Sequence, residues 1–226
     1  MTDVLVMRGS KHSCTRSRSR ATAGSLMVLG VMLTMPPLCR SEPVEIKQES
    51  FTGSGYTFRR GAACLVVTAE HVVREPGVTI TVQDRSSPRV VAERTYRNEG
   101  ADLALLTLPE GTPVACTTTW PDSAWLRAAS FGAKSEFRAI RHYPGGREEI
   151  VFMKYAGGDK SHLFLAQTDG QSIVESDSGS IVDLDGKLVG IVQSVATGNR
   201  RVKVLRFDKI DELVGDRFRA AAGTRF

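Results

Sequence analysis

Short apolar segments separated by Gly, Pro, Asn and Asp dominate the chain from about residue 50 onward. Apolar and polar residues alternate over residues 78–82, as they do in a strand with one buried face. Residues 188–192 are too continuously apolar for a surface strand. Further strand-like runs occur at residues 56–58, 63–68, 90–92, 103–108, 150–155, 163–167, 180–183, 187–195 and 202–207. This pattern predicts an all-β domain.

The end of the chain follows a different period. Ile210, Leu213, Val214 and Phe218 are three, one and four residues apart, which predicts one amphipathic helix over residues 207–219. We expect this helix to pack on a barrel rather than on a membrane. The strand-like runs fall into two groups joined by a linker at about residues 109–121. We therefore predict a first barrel at about residues 50–115 and a second at about residues 125–207, followed by the C-terminal helix.

The first 41 residues differ from the rest in charge and hydropathy. They carry six basic side chains and one acidic one, and they contain an apolar run of ten residues at 26–35. This run is short of the roughly 20 residues that a membrane span needs. We predict that residues 1–41 are a signal peptide and that residues 42–226 form an exported domain, periplasmic or secreted. A retained membrane anchor and a misassigned start codon are the alternatives.

Charge and ligand spacing limit the partners of the folded part. Residues 42–226 contain 24 basic and 24 acidic side chains, a balance that argues against binding to nucleic acid. Membrane contact is expected only through the leader. No group of Cys and His residues has the spacing of a metal site, so we expect neither a metal nor a cofactor.

Cys64 and Cys116 are the two cysteines of the predicted domain. In an exported protein they could form a disulfide. The alternative is two buried free thiols that pack as small apolar side chains. We favour the free thiols, because the sequence does not show that the two side chains approach each other.

Three segments supply the residue types of a nucleophilic hydroxyl site. His71 follows an apolar run at residues 66–69, Asp102 precedes one at residues 103–106, and Ser178 lies in a Glu-Ser-Asp-Ser-Gly sequence. A serine hydroxyl is a weak nucleophile, so it needs an imidazole to take its proton and a carboxylate to orient that imidazole. Together, and in the order His, Asp, Ser, these segments predict a serine peptidase. His12, His142 and His162 are expected to be structural or exposed.

The chain resembles the chymotrypsin-like serine peptidases, and in particular their compact bacterial members, over about residues 50–214. The resemblance rests on Thr-Ala-Glu-His at residues 68–71, on Asp-Leu-Ala-Leu at residues 102–105, and on Ser-Asp-Ser-Gly at residues 176–179 with Gly-Ile-Val at residues 190–192. It implies two packed six-stranded antiparallel barrels with the active site in the cleft between them.

The resemblance also implies a role for each matching residue. His71 is the general base and then the general acid, Asp102 orients its ring, and Ser178 attacks the substrate carbonyl to form an acyl-enzyme. The backbone N–H groups of Ser176 and Ser178 form the oxyanion hole, the pair of donors that binds the negatively charged oxygen of the intermediate. The partner implied is a polypeptide substrate.

Three residues near this site depart from the family pattern or have a structural role. Ser176 stands where glycine is usual, so we expect the oxyanion hole to be misformed when empty or to be completed by substrate. Glu70 replaces a small residue beside His71, and strand alternation predicts that the two side chains point apart. Asp177 is expected to form an ion pair with a basic side chain rather than with a new chain terminus.

By family position, Ser172 forms the floor of the pocket for the residue before the cleaved bond, and Gln193, Ser194 and Val195 form one wall. A neutral floor and a valine in the wall predict a preference for small or medium apolar residues over basic or large aromatic ones. Glu175 at the mouth is expected to be solvated and to repel acidic substrates weakly.

Two functions are compatible with these residues. The first is a serine endopeptidase, which the presence of all three catalytic residue types favours. The alternative is a catalytically inactive homologue that uses the cleft between the barrels to bind a peptide or protein. The residues at positions 70 and 176 keep this alternative open.

Overall fold

A computed structural model describes residues 43–116, 119–143, 147–168, 170, 172–196 and 200–223. Within these residues twelve strands form two closed six-stranded barrels, and all the strand pairs are antiparallel. The predicted all-β fold of two barrels with a C-terminal helix is therefore confirmed. The strands of the first barrel are β1 (Pro43–Gln48), β2 (Phe51–Arg60), β3 (Ala63–Thr68), β4 (Ile80–Gln83), β5 (Val90–Asn98) and β6 (Leu103–Leu108). Those of the second are β7 (Glu136–Tyr143), β8 (Arg147–Gly158), β9 (His162–Gln167), β10 (Ile181–Leu184), β11 (Lys187–Ala196) and β12 (Arg201–Arg206).

The two barrels have the same topology. Neighbouring strands follow the order β1-β2-β3-β6-β5-β4 in the first barrel and β7-β8-β9-β12-β11-β10 in the second. In both, the third strand pairs with the sixth, so the chain crosses one end of each barrel at equivalent places. Loops from these ends supply the residues of the cleft described below.

Continuous apolar runs arise because some strands are buried on both faces. In β6, Leu103 and Leu105 belong to the core that joins the two barrels, whereas Ala104 and Leu106 belong to the interior of the first barrel. Successive side chains of a strand point to opposite faces. Each face of β6 therefore needs its own apolar residues, and the usual alternation with polar residues disappears.

The first barrel begins at Pro43 rather than near residue 50. The difference is strand β1, which the sequence analysis did not predict. Its Val44 and Ile46 are fully buried. The intervening Glu45 is also buried, with its carboxylate 2.9 Å from the Arg89 guanidinium. One buried position of β1 is therefore a charged residue whose charge is balanced by an ion pair. Because of this residue, the pattern of apolar positions does not reveal the strand.

The C-terminal helix, α2 (Phe207–Gly223), extends beyond the predicted residues 207–219. Its Ile210 and Val214 are fully buried in the core that joins the barrels. The ring of Phe207 lies 5.4 Å from that of Trp120, whose indole N–H donates to Asp211 at 3.0 Å. These contacts place the first turns of α2 against the barrels.

The connection between the barrels contains a short helix, α1 (Ala124–Ala128), which the sequence did not predict.

The predicted leader lies outside the described residues. No helix in the described part of the chain is both long enough and apolar enough to cross a membrane. The same residues contain no group of three or more His, Cys, Asp or Glu side chains that could hold a metal ion.

Cys64 and Cys116 form a disulfide, so the expectation of two free thiols is wrong. Their Cα atoms are 5.9 Å apart, and both residues are buried. Cys64 lies in β3, while Cys116 lies in the connection that leaves β6, the strand paired with β3. The backbone carbonyl of Cys116 also accepts a hydrogen bond from the Arg59 side chain at 2.8 Å. The bond therefore fastens the inter-barrel connection to the first barrel.

We expect reduction of this disulfide to lower the free energy of unfolding by up to about 4 kcal/mol, since the bond closes a loop of 52 residues. Urea unfolding of the wild type with and without a phosphine reductant measures the effect. A Cys64→Ala/Cys116→Ala double variant is the control and should not respond to the reductant. Equal unfolding midpoints for the oxidised and fully reduced wild type would contradict this role.

Candidate active site

One cleft of about 1100 Å³ contains every predicted site residue. It is lined by residues of both barrels. The predicted residues found there are His71, Asp102, Ser172, Glu175, Ser176, Ser178, Gln193, Ser194 and Val195. Further lining residues that the sequence did not indicate include Phe51, Arg74, Gln167 and Arg200.

His71 and Asp102 meet because their strands are neighbours. Thr68, the last residue of β3, pairs with Ala104 near the start of β6. The segment after β3 and the segment before β6 therefore lie side by side. His71 is in a 3₁₀ turn, Glu70–Val72, directly after β3, while Asp102 has a φ of 47° at the turn into β6.

The carboxylate of Asp102 orients the imidazole of His71. The Nδ1 atom of His71 lies 3.0 Å from each carboxylate oxygen of Asp102, and the backbone N–H of His71 donates to the same carboxylate at 3.0 Å. With Nδ1 protonated and donating to Asp102, Nε2 is left with its lone pair as an acceptor. This is the tautomer that a general base requires.

The two groups shift each other's pKa in opposite directions. The hydrogen bond with Asp102 raises the pKa of His71 above its usual 6.5, although burial and the nearby Arg74 act to lower it. Burial acts to raise the pKa of Asp102, but the hydrogen bonds from the ring and backbone of His71 lower it below its usual value. Asp102 therefore stays charged throughout the range in which His71 titrates.

Ser178 is placed by a loop that is bonded to both barrels. Its backbone carbonyl accepts a hydrogen bond from the N–H of Ser54 in β2 at 2.8 Å, and the N–H of Gly179 donates to Val192 in β11 at 2.8 Å. Gly179 has a φ of 88°, and a Cβ there would lie 1.8 Å from the carbonyl oxygen of Ser54. Only glycine fits this position, so the glycine of the sequence motif serves the contact between the barrels.

The hydroxyl of Ser178 is turned toward two backbone carbonyls. Its Oγ lies 3.0 Å from the oxygen of Glu175 and 3.2 Å from that of Gln193. Among the described residues no hydrogen bond joins Ser178 to His71. The three predicted catalytic residues therefore lie in one cleft, and two of them, His71 and Asp102, are hydrogen-bonded to each other.

The backbone before Ser178 differs from an open oxyanion hole. Residues Glu175–Asp177 form a 3₁₀ turn, in which the N–H of Ser178 donates to the carbonyl of Glu175 at 3.3 Å. The amide that was expected to face substrate therefore has an internal acceptor. Ser176 is exposed, and its φ is not positive.

Asp177 is paired with a basic side chain. Its carboxylate lies 2.8 Å from the Nε of Arg141 and accepts the N–H of Val174 at 2.7 Å. Both charged side chains are buried. Burial raises the pKa of Asp177, although Val174 and Arg141 act to lower it. The partner, Arg141, comes from β7, and no local sequence pattern connects it with residue 177.

Gln193 has a second role that its family position did not suggest. Its side-chain amide donates to the backbone carbonyls of Ala101 and, at 3.3 Å, Asp102. Gln193 is on β11 of the second barrel, and these carbonyls belong to the turn that presents Asp102 from the first. The amide therefore holds the Asp102 turn against the second barrel.

Ser172, the predicted pocket floor, is exposed at the cleft.

Glu70 forms a salt bridge with Arg97. Its carboxylate lies 2.6 Å from the Nε of Arg97 on β5. Its charge raises the pKa of His71, but less than the hydrogen bond with Asp102 does. The substitution beside His71 therefore has a structural reason, a partly buried ion pair between the turn after β3 and strand β5.

We expect the ring of His71 to titrate above pH 6.5 and that of His162 below it, because burial and Lys203 lower the pKa of His162. Histidine NMR signals followed against pH measure both values in one sample. Asp102→Asn removes the carboxylate, so it should lower the pKa of His71 and leave that of His162 unchanged. A His71 value that does not respond to Asp102→Asn would contradict the pairing.

Comparison with known proteins agrees with this architecture. A family model described as a trypsin-like peptidase domain matches residues 53–191, whereas no curated protein matches the chain. The inactive form of a serine-to-alanine mutant of Rv3671c from M. tuberculosis H37Rv is 18% identical and superposes with a TM-score of 0.58, covering 82% of this chain and 89% of its own. The inactive form of the Rv3671c protease, also 18% identical, has a TM-score of 0.60 and covers 77% and 88%. The structures share the fold, and because the matched segment spans more than half of the sequence, the chain belongs to the trypsin-like peptidase family.

Proposed function

We propose that this chain is a serine endopeptidase that hydrolyses peptide bonds through an acyl-enzyme on Ser178. The main support for this proposal is that His71 and Asp102 form a hydrogen-bonded pair in the same cleft as Ser178. Imidazole held by a carboxylate is the arrangement that a hydroxyl nucleophile needs. Because the chain belongs to a peptidase family, we propose a polypeptide as its substrate.

In the first half of the proposed reaction, the Ser178 hydroxyl turns from the carbonyls of Glu175 and Gln193 to Nε2 of His71. Such a movement is a change between staggered rotamers. His71 takes the proton as Oγ bonds to the substrate carbonyl carbon. The tetrahedral intermediate then breaks its C–N bond, and His71 gives the proton to the departing amine.

In the second half, water hydrolyses the acyl-enzyme. His71 takes a proton from the water as its oxygen attacks the ester carbon. The bond to Ser178 breaks, the proton returns to Oγ, and a carboxylic acid leaves. Asp102 remains ionised throughout and stabilises the positive charge on His71, in keeping with the opposite shifts of their pKa values.

Covalent labelling tests the nucleophile directly. We expect a fluorophosphonate probe to modify Ser178, as read by peptide mass spectrometry, and to leave Ser178→Ala unmodified. His71→Ala should slow labelling by about 100-fold or more, because a general base contributes roughly 10²–10⁴ in rate. Ser180→Ala, which alters a neighbouring buried serine, is the matched control and should label at the wild-type site.

Labelling that persists in Ser178→Ala would contradict the assignment of the nucleophile. A folded wild type that remains unlabelled after long incubation would favour the other function, an inactive homologue that binds peptides in the cleft. Circular dichroism and the unfolding midpoint establish that each variant is folded.

We also propose a pocket for small or medium apolar side chains, formed by Ser172 and the segment from Gln193 to Val195. Peptidyl phosphonates that carry valine, phenylalanine or arginine next to phosphorus test it. The valine reagent should inactivate fastest, and Val195→Gly should accelerate the phenylalanine reagent, whereas Ser194→Gly, the matched control, should not. A clear arginine preference in the wild type would overturn this pocket assignment.

A further inference from the structure

The carbonyl of Glu175 occupies the position at which an oxyanion hole would need a donor. It accepts the N–H of Ser178 at 3.3 Å and lies 3.0 Å from the Ser178 hydroxyl. An oxyanion beside Ser178 would meet this carbonyl oxygen, which is an acceptor, instead of a second N–H group. The closed turn cannot stabilise the negative charge of a tetrahedral intermediate.

We propose that the side chain of Ser176 sets the balance between this closed turn and an open hole, so that the resting protein is closed and a substrate carbonyl opens it. The inference rests on the proposed peptidase function and adds a resting state to it. Opening consists of rotating one peptide group, the one between Glu175 and Ser176. The carbonyl of Glu175 then turns away, and the N–H of Ser176 takes its place beside that of Ser178.

The geometry of this rotation explains why residue 176 matters. Turning a peptide plane by about 180° changes φ of the following residue by the same amount. A residue in a 3₁₀ turn has φ of about −60°, so opening would bring φ of Ser176 to about +120°. That region is almost exclusive to glycine, because a Cβ clashes there with the adjacent backbone.

The surroundings confine the movement to this one peptide. Asp177 is held by Arg141 and by the N–H of Val174. The carbonyl of Ser178 is bonded to the first barrel, and the N–H of Gly179 is bonded to the second. The side chains of Glu175 and Ser176 are both exposed. The peptide between them therefore turns without disturbing packed side chains, while the residues on its C-terminal side stay fixed.

Ser176→Gly is the decisive variant, because it removes the Cβ that opposes opening. We expect kcat/KM for a peptide substrate and the rate of fluorophosphonate labelling to rise together by about 5- to 150-fold, which corresponds to the strain of 1–3 kcal/mol that such a backbone costs a residue with a side chain. Most substitutions in an active-site loop reduce activity, so a gain is not the result of damage to the fold.

Ser176→Ala is the matched control, since it removes the hydroxyl and keeps the Cβ. Neither its kcat/KM nor its labelling rate should rise above that of the wild type. Ser176→Gly should also leave the pKa of His71 unchanged, because the variant alters the hole and not the base. Unfolding midpoints measured alongside show whether any change in rate follows stability.

The outcomes separate this inference from the proposed function. A wild type that is labelled at Ser178 but not accelerated by Ser176→Gly would overturn the role of residue 176 and leave the peptidase intact. An equal gain in Ser176→Ala would also overturn it, because the hydroxyl and not the Cβ would then be responsible. Folded wild type and Ser176→Gly proteins that both lack labelling and hydrolysis would instead refute the peptidase.

Discussion

The whole site depends on one loop that is fastened to both barrels at once. The carbonyl of Ser178 is bonded to Ser54 of the first barrel, and the N–H of Gly179 is bonded to Val192 of the second. Because Gly179 packs directly against the Ser54 backbone, this contact permits no side chain. The loop thereby fixes the backbone of Ser178 relative to the first barrel, which also carries the paired His71 and Asp102. Gln193 adds a second connection of the same kind, from β11 to the turn that presents Asp102.

Much of this arrangement could be predicted from local sequence, and the reason is geometric. His71, Asp102 and Ser178 each lie at or near the end of an apolar strand, so their motifs are short and contiguous. The partners that support them are not contiguous with them. Arg141, which pairs with Asp177, is separated from it by two strands and their connections, and the apposition of Cys64 and Cys116 follows only from the pairing of β3 with β6. Strand β1 was missed for a similar reason, because a distant arginine neutralises its buried glutamate.

The departure at residue 176 connects the sequence with the shape of the resting site. A serine in place of glycine favours a 3₁₀ turn, and the structure has that turn, with the Glu175 carbonyl bonded to the N–H of Ser178. The base and its carboxylate are already paired, so the parts of the proposed machinery that must still move are the Ser178 hydroxyl and the oxyanion hole. A protein built this way would hydrolyse peptides only when substrate contributes binding energy to the turn. The disulfide supports the further proposal that the domain works outside the reducing cytosol.

A crystal structure of the protein with a peptide boronate in the cleft would show the nucleophile, the base and the oxyanion hole together. We expect a bond from Ser178 Oγ to boron, with Nε2 of His71 within hydrogen-bond distance of the adduct. We also expect a rotated peptide between Glu175 and Ser176, whose N–H faces a boronate oxygen together with that of Ser178. A boronate that stays unattached to Ser178, or an adduct to which His71 makes no approach, would contradict the account.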